Sequence, residues 1–153
     1  MKKRITIGRQ ELCNLPQLGL VDIRARIDSG AKTTALHAYN IEKITGDNGE
    51  NLIKFNTHPE NRRRKDGPFI ITPYHDRRWV VSSNGTREER FIVSLDLEIG
   101  DQTLTTDVTL TSRHKMTFPL LLGRNTLIQG GFLIDVSKGY MLRKLKKEQK
   151  ENL

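Results

Sequence analysis

The chain is poor in the residues that staple small proteins together. Of its 153 residues only Cys13 is a cysteine, which excludes an intrachain disulfide and any zinc site needing two thiolates from one chain. The four histidines, His37, His58, His75 and His114, are scattered. No pair stands at i, i+3 or i, i+4, and there is no His-Glu-x-x-His, so no metal site is expected. Aromatics make up 6% of the chain, and none interleave with basic residues in a pattern that stacks nucleic-acid bases. The runs Arg62-Arg63-Arg64-Lys65 and Arg77-Arg78 and the Lys-rich tail could neutralise phosphates. Without stacking residues, however, nucleic acid is an unlikely partner. No apolar run is long enough to cross a bilayer. The basic start, Met1-Lys2-Lys3-Arg4, leads into no apolar stretch. A cytoplasmic protein with no membrane partner is expected.

A surplus of one charge is present: Lys and Arg number 26 against 18 Asp and Glu, a net charge of +8. Such a surface attracts polyanions or acidic peptides without choosing among them. The length suits one domain with its own core. Period-two patterning dominates: Val21 to Ile27 alternates apolar and charged, as do Phe91, Val93, Leu95, Leu97 and Ile99 and then Leu104 to Leu110 with their neighbours. The denser runs Phe118 to Leu122 and Phe132 to Val136 predict strands buried on both faces. Turn signals at Asp47-Asn48-Gly49, Asn84-Gly85, Gly100-Asp101 and Lys138-Gly139 separate them. The expected class is all-β, a small barrel or sandwich over residues 1–142. Residues 56–78 read as a basic loop or insertion, and 143–153 as a charged tail.

One segment carries chemistry. Ala25-Arg26-Ile27-Asp28-Ser29-Gly30-Ala31-Lys32 ends an apolar strand in Asp-Ser-Gly. By itself this tripeptide is equally a plain turn after a strand. Its chemical reading is half of a paired-carboxylate site: a carboxylate on a tight turn, a hydroxyl beside it, and a glycine that leaves room for a second carboxylate and a water. Two carboxylates about 3 Å apart share one proton, so one acts as base and the other as acid. No other aspartate has this context, so a second Asp28 must come from another copy, and a symmetric homodimer follows. Alanine at position 31 offers no hydroxyl to the carboxylate, which predicts a pH optimum nearer neutral than that of pepsin-like sites.

Downstream, Pro119-Leu120-Leu121-Leu122-Gly123-Arg124-Asn125-Thr126-Leu127 is an apolar strand ending in Gly-Arg-Asn before a helical turn. Together with Asp28-Ser29-Gly30 and the hairpin signal at Asn84-Gly85, this order resembles the retropepsin fold. Ile7-Gly8-Arg9-Gln10-Glu11, Leu15-Pro16-Gln17-Leu18-Gly19, Leu36-His37-Ala38 and Val81-Ser82-Ser83-Asn84-Gly85 sharpen the likeness. They resemble a bacterial retropepsin-like family often labelled "ATP-dependent zinc protease" and associated with ATP-grasp glutamate ligases of the RimK type. The resemblance implies a retropepsin-like closed barrel with one short helix after the Gly-Arg-Asn strand. It implies catalytic Asp28, Ser29 and Gly30, with Leu122, Gly123, Arg124 and Asn125 supporting the site and the dimer. Ala31, Lys32, Ser83, Asn84, Gly85, Arg87 and Arg90 would face substrate, the last five from a flap. It implies an aspartic-type peptidase acting on glutamate-rich or glutamylated peptides, functionally linked to a glutamate ligase. A non-catalytic peptide-binding or dimerisation domain, or a basic nucleic-acid-binding module, is the alternative. Neither zinc nor ATP is expected as a cofactor, because Gly30-Ala31-Lys32-Thr33-Thr34 imitates only the end of a phosphate-binding loop.

Overall fold

In the computed structural model, residues 4–58, 69–81, 85–112 and 118–143 are described. The alternating apolar segments become strands: β1 (Thr6–Gly8), β2 (Gln10–Leu15), β3 (Leu20–Ile27), β4 (Thr34–His37), β5 (Tyr39–Thr45) and β6 (Asn51–Asn56). Then follow β7 (Phe69–Pro73), β8 (Asp76–Val81), β9 (Arg87–Ile99), β10 (Gln102–Thr111) and β11 (Leu120–Leu122). Helix α1 (Arg124–Gly130) and β12 (Leu133–Asp135) complete the order.

Six strands close on themselves in the order β10-β4-β11-β3-β2-β9, with β9 pairing back onto β10. The class is therefore all-β with a closed barrel and one short helix, as expected. Closure follows from the length of β9 and β10, which share a register from Ile99–Gln102 to Ile92–Thr109 around a Gly100-Asp101 turn. Gly100 has a φ of 58°, which suits a two-residue hairpin turn. Strand β8 extends the sheet as a hairpin partner of β9, while β5, β6 and β7 form a separate meander. Ile23, Ala25, Leu36, Leu97, Leu110, Leu120 and Leu122 fill the barrel at 1% exposure or less. Each large apolar side chain so buried contributes about 1.5–3 kcal/mol.

Three expectations are corrected. The stretch 56–78, read as a loop, carries β7 and the start of β8, because Phe69-Ile70-Ile71-Thr72 has high strand propensity. Pro73 ends β7 on an edge, where a missing N–H is tolerated. The Arg62 to Lys65 run and the tail beyond 143 lie outside the described residues. The alternation in β3 breaks at its start: Val21 is exposed and Arg24 is buried. A register shift between Cys13 and Leu15 and a left-handed Asp22 at φ 55° turn the strand there. Arg24 lies over the Phe118 ring, 5.1 Å from its centroid. Finally, β12 is not buried on both faces. Among the described residues it pairs with β1 alone, and Leu133 and Val136 are exposed.

Glu11 is fully buried, and its carboxylate accepts bonds from the N–H groups of Gly8 (2.7 Å), Met141 (3.1 Å) and Leu142 (3.2 Å). It thereby ties the corner between β1 and β2 to the last described segment. Beside it Cys13 is fully buried, and burial pushes its thiol far above the ordinary range, with Glu11 adding to the effect and Arg143 opposing it. Thiol reagents are expected to leave Cys13 unlabelled in the native protein at pH 8 and to label it fully in urea. The folded thiol keeps its proton beyond the unfolded value of about 9. Its contribution to stability is thus complete below that pH and lost as pH rises above it. Tyr140, raised chiefly by burial, acts in the same direction. Urea midpoints measured at pH 7.5 and pH 10 check this, with the lower midpoint expected at pH 10.

Candidate active site

Asp28 stands just past the C-terminal end of β3, where β3 runs parallel to β11 with Ile27 beside Leu122. Its N–H donates to the Leu122 carbonyl at 3.0 Å, continuing the ladder by one step. The chain then folds back on itself. The Gly30 N–H donates to Asp28 Oδ1 at 2.9 Å and the Ala31 N–H to the Asp28 carbonyl at 3.2 Å. Asp28 is half-buried, while Ser29 and Gly30 are exposed. Among the described residues Asp28 makes no ion pair. The turn therefore presents one carboxylate at a surface, which among the described residues accepts one hydrogen bond, from the Gly30 amide.

The Gly-Arg-Asn segment packs behind this turn. The Arg124 N–H donates to the Ala31 carbonyl at 2.7 Å, and the Asn125 N–H donates to the Lys32 carbonyl at 3.1 Å. The Arg124 guanidinium donates to the Ser29 and Gly30 carbonyls at 3.2 and 3.1 Å. A cation bridging two carbonyls of the turn opposes any opening of it. Gly123 shows why no other residue serves at the crossing: a Cβ there would lie 2.4 Å from the Thr33 carbonyl oxygen.

The structure thus brings Asp28, Ser29, Gly30, Ala31 and Lys32 together with Leu122, Gly123, Arg124 and Asn125. It does not bring Arg87 and Arg90 into contact with the turn. Arg87 lies over the Trp79 ring at 4.9 Å, and Arg90 pairs with Glu88 at 3.8 Å. Both occupy β9 in the hairpin with β8, whose register ends at Val81 opposite Arg87. Gly85, at φ 83°, adopts the conformation that an Asn-Gly turn demands, whereas Ser83 and Asn84 lie outside the described residues.

Sequence reasoning missed two features. One is a set of buried threonines behind the turn, Thr34, Thr106 and Thr126; alternation marks Thr106 as inward-facing, but nothing local pairs it with the others. The other is a shallow groove of about 330 Å³ beside the turn, lined by Ser29, Arg124, Leu127, Ile128, Phe132 and Ile134 among others. Ile128, on the groove wall, is 75% exposed, so apolar surface lies open beside a polar turn.

Among the described residues nothing fits the metal or nucleotide that the "ATP-dependent zinc protease" label implies. Among the described residues no three His, Cys, Asp or Glu side chains converge. The amides of Gly30 and Ala31, which a phosphate would need, are turned onto Asp28.

The RimB-like family, described as retropepsin-like aspartic endopeptidase RimB, matches residues 6–145. The chain belongs to this family. A solved structure similar in architecture is that of a Legionella pneumophila protein of unknown function, with a TM-score of 0.71 and 28% identity. That match covers 92% of this chain and all of the other. Among curated proteins, probable alpha-L-glutamate ligases of Parasynechococcus marenigrum and Desulfotalea psychrophila are each 35% identical, over 99% and 93% of this chain. The chain spans only 32% and 30% of those ligases, so this RimB-like unit corresponds to about a third of their length.

Replacing Gly123 by Ala is expected to cost about 3 kcal/mol, since the added methyl meets backbone that cannot yield. A lowered urea midpoint at unchanged slope is the measurement. An unchanged midpoint would mean that the crossing is looser than described.

Proposed function

We propose that this protein is a homodimeric aspartic-type peptidase that hydrolyses peptide amide bonds with two copies of Asp28 and a water. The observation that carries the reading is the single half-buried carboxylate on a braced turn, beside an open groove lined by Leu127, Ile128, Phe132 and Ile134. A second copy related by a two-fold axis covers that groove and supplies the missing carboxylate. The pair then holds one proton. The ionised Asp28 takes a proton from the water as its oxygen attacks the peptide carbonyl, and the protonated Asp28 gives its proton to the carbonyl oxygen. The resulting diol collapses as the nitrogen is protonated and the C–N bond breaks. The β8–β9 hairpin serves as the flap that shields the reaction from water.

The substrate class in this reading is a glutamate-rich or glutamylated peptide. The net charge of +8 suits an acidic chain, and the relatives named as probable alpha-L-glutamate ligases support a functional link to a ligase that makes such chains.

Mass measurement in solution combined with a peptide-cleavage screen tests the proposal. Wild type is expected as a dimer that cleaves glutamyl peptides, and Asp28→Asn as a dimer with activity lowered by about 10³-fold or more. Ile128→Glu, which puts a charge on the groove beside the turn, is expected to be monomeric and inactive, although it leaves Asp28 untouched. A wild type that cleaves as a monomer overturns the shared-proton mechanism. A stable dimer without cleavage of any peptide favours the non-catalytic reading.

Turnover of acidic peptides is expected to fall as salt rises from 0.05 to 0.5 M, about tenfold, while neutral peptides change little. Equal turnover of both at every salt concentration would remove the acidic-substrate assignment. Ala31→Ser, which restores a hydroxyl donor beside the carboxylate, is expected to move the acidic limb of the rate profile to lower pH.

A further inference from the structure

Behind the Asp28 turn, three hydroxyls from three separate elements meet in a dry interior. Thr34 is 1% exposed, Thr106 6% and Thr126 0%. Thr34 begins β4, Thr106 lies in β10, and Thr126 is in the first turn of α1. The Thr126 hydroxyl touches both others: Thr106 Oγ1 at 2.7 Å and Thr34 Oγ1 in a short hydrogen bond. Thr34 Oγ1 in turn accepts the Gly123 N–H at 3.1 Å.

A threonine hydroxyl has one proton to give and two lone pairs to receive with. The Gly123 N–H occupies one lone pair of Thr34, so the orientation of that hydroxyl depends on Thr126. Gly123 precedes α1 as its N-terminal cap residue, so its own N–H has no acceptor within the helix. That amide is held from outside the helix, by Thr34. Gly123 also has no room to shift, given the Thr33 carbonyl against it. The neighbouring Leu122 carbonyl is the acceptor for the Asp28 N–H. A continuous route thus runs from Thr126 through Thr34 and Gly123 to the backbone of the acidic turn.

We propose that Thr126 is a positioning residue for the acidic turn, acting through the Thr34 hydroxyl on Gly123 and thereby on Asp28. Without its hydroxyl, Thr34 and Thr106 each lose a partner where no water replaces it, which carries the full cost of an unmade bond. Thr34 then reorients and releases the Gly123 amide. The catalytic consequence rests on the peptidase reading above, whereas the positioning itself does not.

The test compares Thr126→Val, which keeps the shape and deletes the hydroxyl, with Thr126→Ser, which keeps the hydroxyl and deletes a methyl. In the full chain, backbone amide exchange is measured at Asp28, Gly123 and Arg124 and at reference amides in β2 and β9. Thr126→Val is expected to speed exchange at the three site amides by about tenfold more than at the reference amides. Thr126→Ser is expected to bring them back to within about threefold of wild type. On a cleaved peptide, Thr126→Val lowers kcat by about 10- to 100-fold with KM little changed, and Thr126→Ser recovers most of kcat. Exchange that rises equally everywhere, or a serine variant as poor as the valine variant, overturns the proposal. Should Thr126→Val fail to fold, Thr106→Val cuts the same chain one link further out, and the same three amides must loosen relative to the reference ones. Where wild type cleaves no peptide, the peptidase reading fails and the exchange ratios still decide the positioning.

Discussion

Two stretches of backbone, 28–34 and 122–126, cross at contact distance, and the rest of the arrangement depends on that crossing. Thr33 and Gly123 approach so closely that a single methyl group would not fit between them. Four amides and one guanidinium link the stretches directly or through the Thr34 hydroxyl. Buried or half-buried polar groups contribute little when paired and cost 1–3 kcal/mol each when orphaned. Such a knot is therefore held less by its gain than by the penalty for opening it. The carboxylate of Asp28 inherits this rigidity although its own side chain accepts only one backbone bond among the described residues.

The barrel supplies the other half of the rigidity. Strands β3 and β11 run parallel, and β11 is flanked on its far side by antiparallel β4. That places a short strand of three leucines between two longer ones, with Leu120 and Leu122 excluded from solvent. The polar knot sits where this apolar ladder ends, so motion of the turn would require motion of a packed core. By contrast, apolar surface lies open beside the turn, where Ile128 faces outward from the groove wall. The homodimeric peptidase proposed above uses both properties, the rigid turn and the open apolar surface.

Kinship with glutamate ligases several times the length of the matching segment adds a second layer. In those relatives a stretch like this chain is covalently part of a longer protein. The ligase-linked role and the acidic substrate proposed above draw on that likeness.

Much of this was legible along the chain because its cues are local. Alternation of apolar residues marks strands, Asn-Gly and Gly-Asp mark turns, and an Asp-Ser-Gly after a strand marks a carboxylate on a bend. The barrel class followed from such cues, whereas the packing of the Gly123-Arg124-Asn125 segment against the Asp28 turn was expected only from the resemblance to the retropepsin fold. The sequence misled where a local pattern was overridden by a partner distant in the chain. Val21 and Arg24 exchanged sides because of a register shift opposite Cys13 and Leu15, and Phe69 to Pro73 became a strand because β6 offered it an edge. Leu133 and Val136 stayed exposed because, among the described residues, β12 found only β1 as a neighbour. The meeting of Thr34, Thr106 and Thr126 across 92 residues of chain was invisible for the same reason. A hydroxyl carries no periodic signal, and only the packing of three elements decides what it touches. Sequence determined which residues could do chemistry and which segments would be strands. Tertiary structure alone decided which carbonyl, amide and hydroxyl each would meet, since hydrogen bonds are fixed by distances that local propensity does not set.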